Sequence, residues 1–405
     1  MNHKNEKGVA ILLAVFGLAV MIFLAVDVAY DTQVEYLTAS QNVNRLKAYY
    51  AAKAGVEISL LRISIYKQAL AAAGPTLGEK AQTLLNPIWQ FPLSWPLLVP
   101  DKVNSVDKDE ILSTTKDSLM DSQYFVTIEG EGGKIDINDL DSPDEETAER
   151  IKTQLVEVFE QEKKNDEKFR DKYSNEDFGQ LLDAMKDWID EDTDPTGRGG
   201  GGESGAYTDR SKDTGGILPP NQPFKTLEEL HMVAGMKDDF YKILAQRITV
   251  FGTKGINVNT APDLVIKSLA DDIDDEKMTK INERRTNPEK GGPFRDDEDF
   301  YSFMRSIGVN TQKIEELGTL LLYDAEFNFR IISAGKFANT RKEITAVTFD
   351  VDNISPALSK MLIEKDKKEN PPPPPPVAPP PSGDKTKKSY KAPKGRPRVV
   401  YWQES

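Results

Sequence analysis

An unbroken apolar run, Val9 to Val26 (VAILLAVFGLAVMIFLAV), follows a short polar leader, MNHKNEKG, and is closed by Asp27. At ~1.5 Å of rise per residue a helix over this run is about 27 Å long, enough to cross a bilayer core with little tilt. A chain with such a segment must place it away from water, so every other part of the fold has to be arranged around it. A secretory signal would carry a shorter apolar core that ends in a small-residue cleavage site. Here the small residue, Gly8, precedes the run. A cut between Gly8 and Val9 would therefore leave the helix on the mature chain. Lys4 and Lys7 ahead of the span favour an N-terminus that starts on the cytoplasmic side. An uncut N-terminal anchor is the plainer alternative.

Residues 27–66 keep a helical character without an early breaker, since the first proline is Pro75. Val34, Leu37, Val43, Leu46, Tyr49, Tyr50, Val56, Leu60 and Leu61 recur close to three-and-four spacing. The two segments together predict one rod, apolar all round at its start and striped beyond it, suited to packing beside copies of itself or relatives.

At 405 residues the chain has room for two or three domains. A net charge of −14 disfavours nucleic acid unless the basic residues gather into a patch. The absence of cysteine excludes disulfides, thiolate metal sites and cysteine nucleophiles. His3 lies in the leader, which leaves His231 between apolar positions of an expected helix, where it reads as structural.

Residues 87–100, rich in proline and tryptophan, read as irregular. Tyr124, Val126 and Ile128 alternate as in a strand, and a Gly-Gly turn leads to a second short strand before Asn138. Residues 142–190 read as helical, started by Ser142-Pro143, with Phe159, Phe169, Phe178, Leu181, Leu182, Met185 and Trp188 as inner positions. A glycine-rich loop occupies 191–224, longer than the ~12–15 residues usual for structureless loops, and 225–250 returns to helix. Several short helices follow over 256–322, then two strands around a polar turn at 326–351. Residues 371–381 are polyproline and the stretch after them is basic. The chain nevertheless ends in RVVYWQE, a β-branched and aromatic run that predicts a last strand returning to the sheet; a loose or partner-binding terminus is the alternative.

Two segments raise the question of ligands. Asp187 and Asp190 bracket Trp188, and Asp190, Asp192 and Asp194 occupy alternate positions, so their carboxylates can converge on a hard divalent cation. The spacing is not that of an EF-hand: counted from Asp190, Pro195 takes the glycine position and Gly201 the bidentate position, with Glu203 two residues late. INVNTAP at 256–262 is similar to the opening of helix-hairpin-helix modules of DNA-binding competence proteins. The stretch that follows, 269–281, is acidic and lacks the glycines that would approach phosphate. GGKIDIND (132–139) and KGINVNTA (254–261) look alike, which suggests two related helical units. No P-loop, dinucleotide fingerprint, HExxH motif or nucleophile elbow is present, so no enzymatic activity is expected.

In order along the chain, the glycine-ended leader with VAILLAV, AAKAGVE (51–57), GGKIDIND, LLDAMKDWIDEDTDP (181–195) and its acidic loop, FKTLEELHMVAGM (224–236) and INVNTAPDLVIKSL (256–269) resemble the type II secretion system protein K family, the large minor pseudopilins. The resemblance implies an α+β, pilin-like fold: a long N-terminal helix packed on an antiparallel sheet, with a large inserted helical domain of SAM-like or helix-hairpin-helix-like character. The organisation expected is a leader at 1–8, a membrane segment at 9–26, helix and first strands at 27–130, and an insertion at 131–324 with its acidic loop at 187–224. Sheet strands would follow at 325–369, then the proline-rich and basic excursion at 370–397, which goes beyond the family pattern, and a final strand at 398–405. It further implies cleavage between Gly8 and Val9 by prepilin peptidase, methylation of the new N-terminus, and an inner-membrane anchor with the body in the periplasm. Implied partners are the other minor pseudopilins, the inner-membrane platform and secreted cargo, with no nucleic acid. The resemblance also implies calcium in the acidic loop, with Asp187, Asp190, Asp192, Asp194 and Glu203 as the matching ligands. Leu13 stands where filament-forming pilins usually carry a glutamate, as is usual in this family. A minor pilin of a type IV pilus and a membrane-anchored DNA-uptake protein are the alternatives.

Overall fold

The computed structural model describes residues 4–78, 80–97, 113, 115–197, 219–253, 255–350, 353, 392 and 395–405. Helix α1 (Lys4–Leu77) runs through the apolar segment and on to the body as one element of 74 residues. Its inner end docks on a sheet through Ala48, Ala51, Ala52, Val56, Leu60, Ile63, Tyr66 and Leu70, all buried and spaced to share one face. The proline- and tryptophan-bearing stretch is not irregular as expected. After α2 (Lys80–Leu85), its described part, 87–97, forms α3 (Pro87–Gln90) and the edge strand β1 (Leu93–Trp95), which pairs with β2 (Gln123–Gly130); residues 98–100 lie outside the described residues. The reason is tertiary: Trp89 packs edge-on against Phe329 and Tyr66, and Arg62 on α1 holds the carbonyls of Ile88, Trp89 and Phe91.

The insertion then opens. Its first unit comprises β3 (Ile135–Asp136), α4 (Glu145–Asn165), α5 (Glu167–Lys172), α6 (Phe178–Ile189), α7 (Asp238–Ala245) and β4 (Ile248–Thr249). The single helical stretch expected at 142–190 is thus three helices, because Asp166 and Asp177 each cap a new start by accepting backbone N–H groups. The inner positions expected there are all buried, with Phe159 stacked on Phe178 at 4.3 Å between ring centroids. The helix expected over 225–250 is likewise broken. Thr226 and Glu229 form a capping box that starts a short 3-10 turn, Leu227–Met232, ahead of α7.

The second unit comprises β5 (Ile256–Asn257), α8 (Asp263–Lys267), α9 (Asp275–Thr286), α10 (Asp297–Ser306), α11 (Thr311–Leu317) and β6 (Leu321–Leu322). Both units are built alike. Each is closed by a parallel two-strand pair, β3 with β4 and β5 with β6. In the first, the Asn138 amide accepts from the Phe224 N–H at 2.8 Å and donates to its carbonyl at 3.1 Å. In the second, Asn259 holds Phe294 in the same way, at 2.8 and 2.9 Å. The similarity of KIDIND to GINVNT is therefore a shared clasp onto a Pro-Phe pair, Pro223-Phe224 or Pro293-Phe294. Where the units meet, a Cβ on Gly133 would lie 2.4 Å from Ala261 Cα, so the contact requires glycine.

The chain returns to the sheet with β7 (Phe329–Phe337), β8 (Thr340–Thr348) and β9 (Val399–Glu404). The sheet is antiparallel, in the order β1-β2-β7-β8-β9, and the terminal RVVYWQE run pairs along β8. Its inner face presents Tyr124, Val126, Ile128, Phe329, Ile331, Ile344 and Ala346 to α1. The fold is α+β, a long helix on an antiparallel sheet with a helical insertion between β2 and β7.

Sheet and insertion are joined by two buried carboxyl groups. Glu131, fully buried just past β2, accepts from Arg330 Nε on β7, from Lys134 Nζ at 3.1 Å and from the Thr249 hydroxyl on β4. Glu326, also buried, accepts from the N–H groups of Gly132, Phe327 and Asn328 and from Thr260 Oγ1 at 2.8 Å. Burial by itself would raise the Glu131 carboxyl, but Lys134 and Arg330 outweigh it and hold the group below the usual carboxylate range.

Two outcomes follow from this packing. A Cβ on Gly335 would lie 2.0 Å from Ala48 O and 2.3 Å from Ala52 N, both backbone atoms. Gly335→Ala should therefore cost about 1–3 kcal/mol in denaturant unfolding as α1 is pushed off β7. Glu131→Gln should cost about 3 kcal/mol at neutral pH by taking the buried partner from Arg330 and leaving Lys134 with Glu129 alone. Because the folded carboxyl is depressed, its contribution is present above the unfolded value of ~4.3 and lost as pH falls through the lower folded value. The acid limb of the stability curve should accordingly be shallower in E131Q than in wild type.

Candidate assembly surface and acidic loop

Two faces of α1 follow from how little of it the body covers. Among the described residues α1 is long and apolar enough to cross a membrane, and none of its most apolar window is buried. Of the stripe read from the sequence, Val56 and Leu60 turn to the sheet, while Val34, Leu37, Val43, Leu46, Tyr50 and Leu61 stay exposed. The uncovered apolar segment at 9–26 fits a membrane anchor, and the exposed apolar residues beyond it have no cover among the described residues. Gly8 and Val9 lie within the helix; Val9 is exposed.

The acidic loop begins where α6 ends. Asp190 follows the last helical residue, Ile189, and its N–H donates to Lys186 O. Trp188 stacks on Phe224 with rings 5° apart, and Gln222 N–H donates to Trp188 O, so both ends of the loop are drawn together. The Asn221 side chain adds a bond to Asp192 O. Asp187 accepts from Thr196 N–H at 2.7 Å, and Asp192 accepts from Asp194 N–H at 2.8 Å. Asp190 is only 6% exposed, and its Oδ1 is buried with no hydrogen-bond partner among the described residues. Burial, then the charges of Asp192, Asp187 and Asp141, push its carboxyl up to about 6. Asp187 is raised by burial as well, against the bond from Thr196.

Asp187, Asp190 and Asp192 thus share one field. Asp194 enters through its backbone, and Glu203 lies outside the described residues. Asp141, at the end of the turn Ile137–Asp141, joins them although the sequence reading missed it; it is distant along the chain and carries no local signal. No group of three or more acidic or histidine side chains is closed up as a metal cage among the described residues. The orphaned, buried Asp190 oxygen amid like charges nevertheless fits a hard cation, because a cation relieves both costs at once.

Other candidates are absorbed structurally. His231, expected on a helix, sits on the 3-10 turn, where its side chain is 44% exposed and lies against the Tyr241 ring at 4.0 Å. In the α8–α9 hairpin, Asp274 caps α9, while Asp271 accepts from Lys164, Lys313 and Gln161, and Asp272 from Lys277 and Asn310 N–H. These carboxylates occupy the place where a phosphate-binding hairpin would offer bare N–H groups.

Residues 133–253 match one family model and residues 256–319 another, both described as type II secretion system (T2SS), protein K. The boundary between the matches falls between β4 and β5, where the two units meet. The chain is also similar to a chain of the solved GspK-GspI-GspJ complex from the type 2 secretion system of enterotoxigenic Escherichia coli. That likeness covers 77% of this chain and 94% of the other, with a TM-score of 0.52 and 16% identity. No curated protein matches.

Proposed function

We propose, from the premise that the chain is a member of the type II secretion system protein K family and so a minor pseudopilin, that it stands at the tip of a short periplasmic pseudopilus and helps to initiate its assembly. The observation that carries this reading is the unequal covering of α1: residues 48–70 are docked on the sheet, while the apolar residues of 9–26 are left without cover. Apolar burial between such helices, in lipid and then against sibling subunits, is what drives association. Three features support a terminal position. The insertion adds bulk beside the sheet that a repeating lattice would have to accommodate. Leu13 replaces the carboxylate that would need a neighbour's N-terminal amine in an apolar setting. The similar solved chain belongs to a complex of three different subunits rather than to a uniform filament.

On this reading prepilin peptidase cuts between Gly8 and Val9, and the anchor stays in the inner membrane with the body in the periplasm. The other minor pseudopilins are the direct partners, and the inner-membrane platform and secreted cargo are contacted in turn. The chain works by association, with no reaction of its own. Calcium in the acidic loop would be held by Asp187, Asp190 and Asp192, with Asp194 and Glu203 as further ligands, tying α6 to the returning segment at Phe224.

Mass analysis of the N-terminus should give a chain starting at methylated Val9 in cells with the peptidase and at Met1 in cells without it; an intact Met1 in both would refute the pseudopilin route. The processed protein should co-purify with minor pseudopilins of its own system. Calcium should raise the melting temperature, by an amount equivalent to about 2.7 kcal/mol at a hundredfold excess over Kd. Asp190→Asn should lose that shift while melting no lower than wild type in chelator, because a crowded charge has been removed.

A further inference from the structure

The turn that opens the insertion closes around a carboxyl group from the insertion's other end. Glu326, which stands ahead of β7, is 2% exposed and lies against the glycines of the EGEGGK stretch, 129–134. A Cβ on Gly130 would lie 2.6 Å from its Oε2, and one on Gly132 would lie 2.9 Å from its Oε1. Thr260 brings the second unit to the same group. Asn328 brings the first, since its side-chain amide donates to Phe251 O at 3.4 Å. Glu326 therefore stands where both units meet the sheet.

Its hydrogen bonds are shared unevenly. The N–H groups of Gly132, Phe327 and Asn328 all donate to Oε1, at 3.3, 3.1 and 3.0 Å. Oε2 meets the Thr260 hydroxyl at 2.8 Å. An ionised carboxylate only accepts, with its charge spread over both oxygens, whereas a neutral acid has one oxygen that accepts and one that donates. A hydroxyl can turn to serve either state. Three donors on one oxygen and a hydroxyl on the other is the pattern of the acid.

The surrounding charges have other partners. Lys67, on α1, lies in the field of Glu326 but pairs with Asp350, past β8, at 2.9 Å. Lys134 and Arg330 pair with Glu131. Arg285, on α9, donates to Ala261 O and pairs with Asp263 at 3.0 Å. Asp324, two residues before Glu326, is a like charge. Burial raises the Glu326 carboxyl above its ordinary value, and the bonds from Thr260, Asn328, Gly132 and Phe327 do not offset it.

We propose that Glu326 is a proton-operated latch: as the neutral acid it donates from Oε2 to Thr260 Oγ1 and holds the second unit against the sheet, and its ionisation loosens that hold. The unfolded carboxyl titrates near ~4.3 and the folded one higher, so this stability is complete below the unfolded value and lost as pH rises through the folded value. The latch is separate from the acidic loop and from the outer part of α1.

The test uses the full chain in detergent with chelator. Glu326→Gln imitates the acid, since its amide oxygen accepts from the N–H groups and its NH2 donates to Thr260. The melting temperature of wild type should fall relative to E326Q as pH rises above about 4.3, with a gap of ~2 °C or more. Amide hydrogen exchange over 256–322, compared at equal pH, should be faster in wild type at the alkaline end and equal at the acid end. On raising the pH, infrared difference spectra of wild type should lose a protonated-carboxyl band that E326Q lacks. If E326Q fails to fold, Thr260→Val decides, because the band should move once its proton has no acceptor. The latch is refuted if the two melting curves run parallel against pH, if exchange over the second unit ignores Glu326, or if the band is absent from wild type or unmoved in T260V. An E326Q protein that melts lower than wild type at every pH would also refute it, and would mean an ionised carboxylate held by its N–H donors.

Discussion

The close approach of α1 to β7 is the contact on which the rest is arranged. A helix backbone can reach a sheet this nearly only where side chains are small, and here Ala48, Ala52 and Gly55 meet Ser333 and Gly335. The Ser333 hydroxyl donates to Ala52 O at 2.7 Å, so even the one polar group at the contact is paired. Docking by this short patch leaves the outer part of a rod about 110 Å long without partners in its own chain. The exposed apolar surface of α1 is thus a direct consequence of where its small residues stop.

A second constraint holds the insertion in place. The insertion enters from β2 and leaves into β7, two neighbouring antiparallel strands, so both connections lie at the same end of that pair, where Gly130 faces Phe329. Glu131 and Glu326 stand at those two connections, and each binds groups from both sides of the junction. A hydrophobic junction could slide, whereas buried carboxylates with named donors have one satisfactory arrangement. Within the insertion the two Asn–Phe clasps repeat the same solution, a side-chain amide that closes a loop by pairing with one backbone unit. In the first unit that clasp also fixes Phe224 beneath Trp188, which brings the far end of the acidic loop back to Asp187 and Asp190.

Much of this was legible beforehand, for a physical reason in each case. Alternation at Tyr124, Val126 and Ile128 and at Phe329 and Ile331 reports one buried sheet face, because side chains on a strand alternate strictly. The inner residues from Phe159 to Trp188 were legible because heavily charged helices leave few candidates for a core. Breaks within helices were not, since Asp166, Asp177 and Thr226 stop one helix or start another only through hydrogen bonds that polar residues elsewhere do not make. Residues 87–100 read as irregular because prolines and tryptophans carry no period; Arg62 and Phe329, remote in sequence, give the described ones, 87–97, their structure. The acidic loop was visible from its alternating aspartates. Asp141 and the unpaired oxygen of Asp190 were not, as both depend on which segments fold back together.

What the amino-acid sequence determined alone was local: an apolar run long enough to cross a bilayer, a helix with no early breaker, strands with a two-residue period, and no cysteine or nucleotide-binding motif. These follow from composition and spacing, which need no partner to be read. What only the tertiary structure decided was which face of α1 is spent on the sheet and which is left over, which carboxylates are neutralised at the junction, and which polar groups remain unpaired. Those outcomes depend on contacts between residues up to hundreds of positions apart, and a contact exists only once both partners have been brought to the same place.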